Sequence, residues 1–239
     1  LEYFPDFAKK LGTKNRFETA WKFLPEFLLL WEKRLPKLVL QIDFTSDNPD
    51  ELQTKIQELK EKLKPLHPKT KIVADEEEKK YWLIRRDSFG LLSSKIKDMY
   101  ASPFIDDIVV KPEYLPEFLP RFNRIMKKYP SIKATFAGHV GNGNFHVIPL
   151  VKLTDPKEQK LIPKICEEVF TLVTDYKGST SGEHNDGWIR TPYLPMQYDK
   201  KILQLFEETK KIFDPDGIFN PHKKVGATFD YAKKHIIKT

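Results

Sequence analysis

Ala134-Thr135-Phe136-Ala137-Gly138-His139-Val140-Gly141-Asn142-Gly143-Asn144-Phe145-His146-Val147-Ile148-Pro149 decides how the second half of the chain folds. Two runs rich in β-branched and aromatic residues flank Asn142-Gly143, the dipeptide that most readily takes the φ > 0 conformation of a type I′ turn. The expectation is a β-hairpin with these two residues as its loop. Pairing then sets Gly141 opposite Asn144, Val140 opposite Phe145 and His139 opposite His146. Opposed residues on one face hold their Cβ atoms about 4.5–5.5 Å apart. That spacing suits two imidazole ligands of one divalent transition metal.

A third donor stands in Gly178-Ser179-Thr180-Ser181-Gly182-Glu183-His184-Asn185-Asp186-Gly187. A carboxylate beside an imidazole, in a loop with glycines, can give one side chain to a metal and leave the other for proton transfer. Glu183 is then the ligand and His184 the base. On spacing alone, packing of the two histidines and ligation by them remain equally open.

Composition narrows the classes. The chain has 239 residues, 40% of them hydrophobic and 13% aromatic, which is ample for a sizeable core and unlike a disordered chain. The longest apolar run, Phe27-Leu28-Leu29-Leu30-Trp31, is bracketed by Glu26 and Glu32 and is too short to span a bilayer. The start, Leu1-Glu2-Tyr3-Phe4, lacks an initiating Met and the plan of a signal peptide, and reads as a piece of a longer chain. The single cysteine, Cys166, has no partner, which excludes a disulfide within the chain and favours a reducing, cytoplasmic setting. Net charge is +7, but 41 basic residues are interspersed with 34 acidic ones, as on solvated helix faces. With no RNA-binding aromatic signature and no zinc-finger spacing, nucleic acid is not expected as a partner. The basic balance leaves peripheral contact with an anionic membrane surface open.

In chain order, residues 1–36 read as a helical lead-in interrupted by Pro25 and Pro36. A strand over 37–44, a helix over 52–63 capped by Ser46-Asp47-Asn48-Pro49, and a short strand over 71–74 form one β-α-β unit. A helix opens at Asp75 and runs through Arg85-Arg86 toward Leu91-Leu92. A strand over 106–110, a helix over 112–128 and a strand over 133–137 repeat the unit, and a returning strand over 144–151 closes it. The class is α+β, a mostly antiparallel sheet built from two ferredoxin-like β-α-β units with helices packed on one face. The C-terminal part is helical. A helix over 155–176 bends at Pro163 and ends on Gly178 as C-cap, a further helix covers 197–213, turns follow through Pro221, and 225–239 form a tail. No linker divides residues 1–239.

Four blocks of this sequence resemble the C-terminal domain of FAD-linked oxidases of the vanillyl-alcohol-oxidase type, a group with D-lactate, glycolate and D-2-hydroxyglutarate dehydrogenases. They are Tyr81-Trp82-Leu83-Ile84-Arg85, Gly138 to His146, Ser181-Gly182-Glu183-His184, and Phe213-Asp214-Pro215-Asp216-Gly217-Ile218-Phe219-Asn220-Pro221. Order and spacing agree over roughly residues 37–224.

The resemblance implies an FAD-dependent oxidoreductase acting on the CH–OH of a small 2-hydroxy acid. In metal-dependent members, the residues matching His139, His146 and Glu183 hold a divalent metal such as zinc, manganese or iron. The match to His184 is the base that removes the hydroxyl proton. Arg85 matches the arginine that pairs with the substrate carboxylate, and Asn220 matches an asparagine near the flavin. These enzymes bind FAD chiefly through a separate N-terminal domain, which this chain does not resemble, so a flavin-binding domain or subunit is the implied partner and the chain alone is expected to be inactive.

The departures are Asn142 for Asp, Asn185-Asp186 for Gly-Ile, His222 for Gly, and Ile148 where hydroxyglutarate-type members carry a polar residue. They leave a non-catalytic partner subunit of the same fold as the alternative. A zinc hydrolase using His139, His146 and Glu183 is a weaker one, because it gives the closing motif no role.

Overall fold

The computed structural model describes Leu24 and residues 39–73, 77–79, 81–83, 85–86 and 99–235. The chain divides into two compact units, Leu1–Leu91 and Leu92–Thr239. Apart from Leu24, the helical lead-in over 1–36 lies outside the described residues.

In the first unit, Asn48 starts helix α1 (Pro49–Leu63) by accepting the Asp50 N–H on its side chain at 2.9 Å. Pro49 fills a first-turn position that needs no donor, Asp50 and Glu51 stand near the positive end of the macrodipole, and Lys60 and Lys62 near the negative end. Among the described residues the strands expected on either side are not formed: residues 39–46 and 67–73 carry no strand. Apolar alternation supplies a face, but a strand exists only as a member of a ladder. Val39, Leu40 and Ile42 are exposed, and among the described residues of this unit no strand pairs with them. Residues 77–79, 81–83 and 85–86 are helical, as expected; there Trp82 Nε1 donates to Glu78 Oε1 at 3.0 Å, and Arg85 lies over the Trp82 ring.

The second unit is built on strand β4 (Asn144–Val151), which pairs antiparallel with β1 (Tyr100–Ala101), β2 (Ile108–Val109) and β3 (Lys133–Ala137). Leu150 pairs with both Ala101 and Lys133, so β1 and β3 flank β4 on opposite sides. The two strands β2 and β3 both oppose β4, hence run parallel to each other with helix α2 (Leu115–Lys127) between them. This is the second β-α-β unit of the sequence reading. Central position explains the near-continuous apolar run of β4, buried at every residue but His146.

Helix α2 presents Phe118 and Phe122 to the core. It is followed, after β4, by α3 (Pro156–Gln159) and α4 (Leu161–Asp175). The break at Lys160 replaces the bend expected at Pro163, because proline removes a donor and its ring presses on the carbonyl four residues back, Gln159. The two pieces restart with Pro163 in a first turn, where it is tolerated. Ile165, Cys166, Val169, Phe170 and Val173 of α4 are fully or almost fully buried against Val147 and Val151 of β4 and the α2 phenylalanines. Burial pushes the Cys166 thiol up to about 12. Cys166 is therefore a small core residue.

Helix α4 ends one residue earlier than a Gly178 cap implies. Lys177 takes the left-handed φ of +52°, and Gly178 N–H closes the turn on the Val173 carbonyl at 2.9 Å. Gly178 is required for a different reason: a Cβ there would lie 2.3 Å from the Val109 carbonyl oxygen. Short helix α5 (Gly187–Arg190), a 3-10 turn over Thr191–Met196, α6 (Lys200–Phe213, capped by Asp199) and α7 (Phe229–Lys234) complete the unit. The first two have no counterpart in the sequence reading, and α6 begins at Lys200 rather than 197. Among the described residues no helix is long and apolar enough to cross a membrane.

Candidate metal centre

The hairpin β3-β4 is present, but its loop is not the two-residue turn. Ala137, not His139, pairs with His146. Residues 138–143 form the loop: the His139 carbonyl accepts the N–H groups of Asn142 (2.8 Å) and Asn144 (3.2 Å), Val140 to Asn142 make a 3-10 turn, and Gly143 takes a φ of +68°. Tertiary contact overrides the local turn chemistry here. Strand β2 docks on the hairpin tip with Ile108 opposite Phe145 and Val109 opposite Asn144, and Val110 N–H donates to the Gly143 carbonyl at 3.0 Å. A Cβ on Gly143 would sit 1.7 Å from the Val110 oxygen.

Although the register differs, the two imidazoles meet. Their ring centroids lie 5.6 Å apart at 86°. Glu183 Oε1 stands 3.1 Å from His146 Nε2 and 3.3 Å from His139 Nε2. Two donor atoms each about 2.1 Å from a common ion, at 90–110°, are separated by about 3.0–3.4 Å. Both Glu183–imidazole pairs fall in that range, which makes His139, His146 and Glu183 a candidate ligand set. His184 Nε2, at 3.8 Å from the same oxygen, falls outside it. Its ring stacks on that of His146, with centroids 4.7 Å apart at 6°. His139, His184 and Glu183 are roughly half exposed on their side chains, so solutes reach the cluster, whereas His146 is largely buried.

Two adjacent acids that the sequence reading passed over hold this arrangement. Asp107 is fully buried, with a left-handed φ of +63°. Its Oδ2 accepts the backbone N–H groups of Gly182, Glu183 and His184 at 2.8, 3.0 and 2.8 Å and the Ser181 hydroxyl at 3.3 Å. Its Oδ1 accepts from Asn144 Nδ2 at 2.9 Å. Burial alone would raise this carboxyl; the hydrogen bonds from His184, Glu183 and Asn144 outweigh it and hold Asp107 below the usual carboxylate range. Asp107, His146, Glu183 and His184 also offer ligand atoms within 4.8 Å of one another. Asp107 nevertheless makes a poor ligand, because its oxygens are already occupied by the loop and by Asn144. His139 is not in that group. Asp106, 8% exposed, places Oδ1 3.3 Å from His146 Nδ1 and Oδ2 3.3 Å from His184 Nδ1.

Arg190 and Gln197 brace the loop from the following segment. Arg190 Nη1 donates to the Asp106 carbonyl at 2.7 Å and Nη2 to the Asn185 carbonyl, while Gln197 Oε1 accepts the Thr180 N–H at 2.9 Å. Asn185 and His222, which stand where the resemblance leads one to expect glycine, take φ of +64° and +61°. The backbone at both positions is the one glycine takes most easily. Asp186, the other departure, is buried and paired with Lys224. The turn over 214–224 is fastened to this segment: Trp188 Nε1 donates to the Pro221 carbonyl at 3.1 Å, and Lys224 N–H to Thr191 Oγ1 at 2.9 Å. Asp214 ties the turn internally by accepting the N–H groups of Ile218 and Phe219 and pairing with Lys210, whose hydrogen bond leads in holding its carboxyl low. Asn220 sits in that turn, exposed, with φ of +45°. Arg85 belongs to the first unit.

The profile of the FAD linked oxidases, C-terminal domain, matches residues 23–224. The chain belongs to this family, as the C-terminal domain of FAD-linked oxidases. Among similar proteins, a D-2-hydroxyglutarate dehydrogenase of Pseudomonas putida is 27% identical over 214 residues, 86% of this chain and 21% of that protein. A D-2-hydroxyglutarate dehydrogenase of Escherichia coli is 30% identical over 142 residues, 59% of this chain and 14% of that protein. Glycolate oxidase subunit GlcD of Bacillus subtilis is 28% identical over 130 residues, 54% of this chain and 27% of that protein. The chain thus spans less than a third of the length of these relatives.

Proposed function

We propose that this domain holds a divalent metal and a 2-hydroxy acid for oxidation by a flavin carried on another domain or subunit. The convergence of His139 Nε2 and His146 Nε2 on one oxygen of Glu183, at the separation a shared ion demands, carries the reading. The names of the relatives, dehydrogenases and an oxidase subunit of hydroxy acids, support the substrate class. When bound, the metal polarises the substrate hydroxyl and the flavin accepts the hydride from the α-carbon.

The residues of this chain supply the rest. His139, His146 and Glu183 hold the ion. His184, stacked beside His146 but outside ion-sharing distance, keeps Nε2 available to take the hydroxyl proton. Arg85, by its match to the family motif, pairs with the substrate carboxylate, and a guanidinium suits that planar anion better than an ammonium does. Asn220 faces the flavin by the same kind of match. Left-handed backbone at Asn185 and His222, where the resemblance has glycine, supports a working site over a non-catalytic subunit. Ile148, buried on β4, favours an acid smaller or less polar than hydroxyglutarate.

The test supplies the chain with a flavin-binding domain and measures dye reduction with a panel of 2-hydroxy acids, with and without added zinc or manganese. Metal-dependent reduction with D-lactate or glycolate is expected. No reduction with any 2-hydroxy acid, in a preparation with flavin and metal bound, would refute the reading.

A further inference from the structure

The closing turn over 214–224 does not hold its own shape. Asn220, His222 and Lys224, none of them glycine, take left-handed φ of +45°, +61° and +68°. Such backbone persists only where surrounding contacts over-determine it. We infer that Asp186 and Lys224 are positioning residues that lock this turn, and Asn220 with it, to the loop bearing Glu183 and His184. The consequence for turnover rests on the function proposed above; the lock itself does not.

The Asp186 carboxylate is buried and pairs with Lys224 Nζ. A buried carboxylate parted from its cation is strongly disfavoured, so this pair holds its geometry more firmly than a surface ion pair does. Each partner is anchored on its own side. Asp186 stands two residues after His184, whose N–H is held by Asp107, and the Asp186 carbonyl accepts the Arg190 N–H at 3.1 Å. Lys224 donates its N–H to Thr191 Oγ1 at 2.9 Å, and its ammonium lies 5.5 Å from the centre of the Phe206 ring.

From Lys224 the path to Asn220 is short. Lys223 donates its N–H to the Asn220 carbonyl at 3.2 Å and its Nζ to Asn220 Oδ1 at 3.1 Å. The other fastenings of the turn, Trp188 to the Pro221 carbonyl and Lys224 N–H to Thr191, are neutral hydrogen bonds, so the ion pair is the strong contact of the three. It also belongs to this chain rather than to the pattern it resembles, which has isoleucine where Asp186 stands. An isoleucine there offers Lys224 nothing to bind.

Hydrogen exchange of the metal-free 239-residue chain tests the lock. Peptides covering 218–224 should exchange about tenfold or more faster in Asp186→Asn and in Lys224→Met, while those of α2 and α4 keep their rates and Lys224→Arg keeps the wild-type pattern. Combining Asp186→Asn with Lys224→Met should add little to either change, because both break the same contact. The Lys224 side chain is 40% exposed, so Lys224→Met keeps the reading available if Asp186→Asn does not fold. Unchanged exchange over 218–224 in either folded single variant, or additive effects in the pair, would overturn the inference.

With a flavin-binding domain and metal supplied, Asp186→Asn should lower kcat about 10–100-fold and leave KM and metal content near their wild-type values, since a displaced Asn220 disturbs hydride transfer and not acid binding. An unchanged kcat in a variant whose turn has loosened would overturn the positioning role. No turnover by the wild type, with the expected exchange pattern present, would count against the proposed function and leave the lock in place.

Discussion

The backbone N–H of His184 donates to Asp107 Oδ2 at 2.8 Å, and this contact joins the loop bearing the candidate base to the strand that docks on the hairpin. Because Gly182 and Glu183 donate to the same carboxylate, Asp107→Ala would remove the shared acceptor of consecutive backbone donors. The expected cost is on the order of 1–3 kcal/mol. Chemical unfolding measures it, and hydrogen exchange should show Gly182 to His184 losing protection first. A change within about 0.5 kcal/mol would mean that the loop is held by other contacts.

Gly143 and Gly141 stand two residues apart in one loop and should respond oppositely to alanine. Gly143 has φ of +68° with the Val110 oxygen in the place of a Cβ, whereas nothing lies within 4 Å of a Cβ on Gly141. Gly143→Ala should cost several kcal/mol or prevent folding, and Gly141→Ala should stay within about 0.5 kcal/mol. Thermal melts of the pair decide it.

His184→Gln should separate metal binding from proton transfer. His184 Nε2 lies beyond ion-sharing distance from Glu183 Oε1, so metal content should hold while turnover with a flavin-binding domain falls about 10²–10⁴-fold. Loss of metal in this variant would make His184 a ligand.

Glu168 on α4 bridges Lys128 and Tyr129 beyond the end of α2, with Tyr129 Oη 2.5 Å from Glu168 Oε1. The Lys128 hydrogen bond, then that of Tyr129, lowers the Glu168 carboxyl; burial, then Glu168, raises the Tyr129 phenol to about 12. A lowered acid stabilises the fold above its unfolded-state pKa and loses that contribution as pH falls through the folded value. A raised phenol stabilises below about 10 and loses its contribution as pH rises through about 12. Stability against pH in Glu168→Gln should therefore lack part of the acid slope, and ultraviolet titration should find Tyr129 ionising earlier. An unchanged phenol titration would contradict the pairing.

Where the sequence carried a local signal with a local cause, its reading and the structure agree. The Asn48 cap, the strand over 133–137 and the returning strand over 144–151 are of this kind, the first fixed by side-chain chemistry and the last by its near-continuous apolar run. The misses have non-local causes. Val39 to Ile42 alternate like a strand but have no strand partner among the described residues, and Asn142-Gly143 has turn chemistry that the docking of β2 overrides. Asp106-Asp107 read only as the polar start of a strand; no spacing rule joins Asp107 to a loop 75 residues later, although two acids entering a core strand were a signal that buried partners must exist. His139, His146, Glu183 and His184 were legible because their types are few and their chemistry is narrow.

Metal content of the purified chain, by elemental analysis beside a His139→Ala, His146→Ala double variant, tests the centre most directly. The account predicts about one divalent ion per chain after loading with zinc or manganese, absent from a double variant that keeps its fold by circular dichroism. Equal metal in both proteins, or none in the wild type after loading, would contradict it.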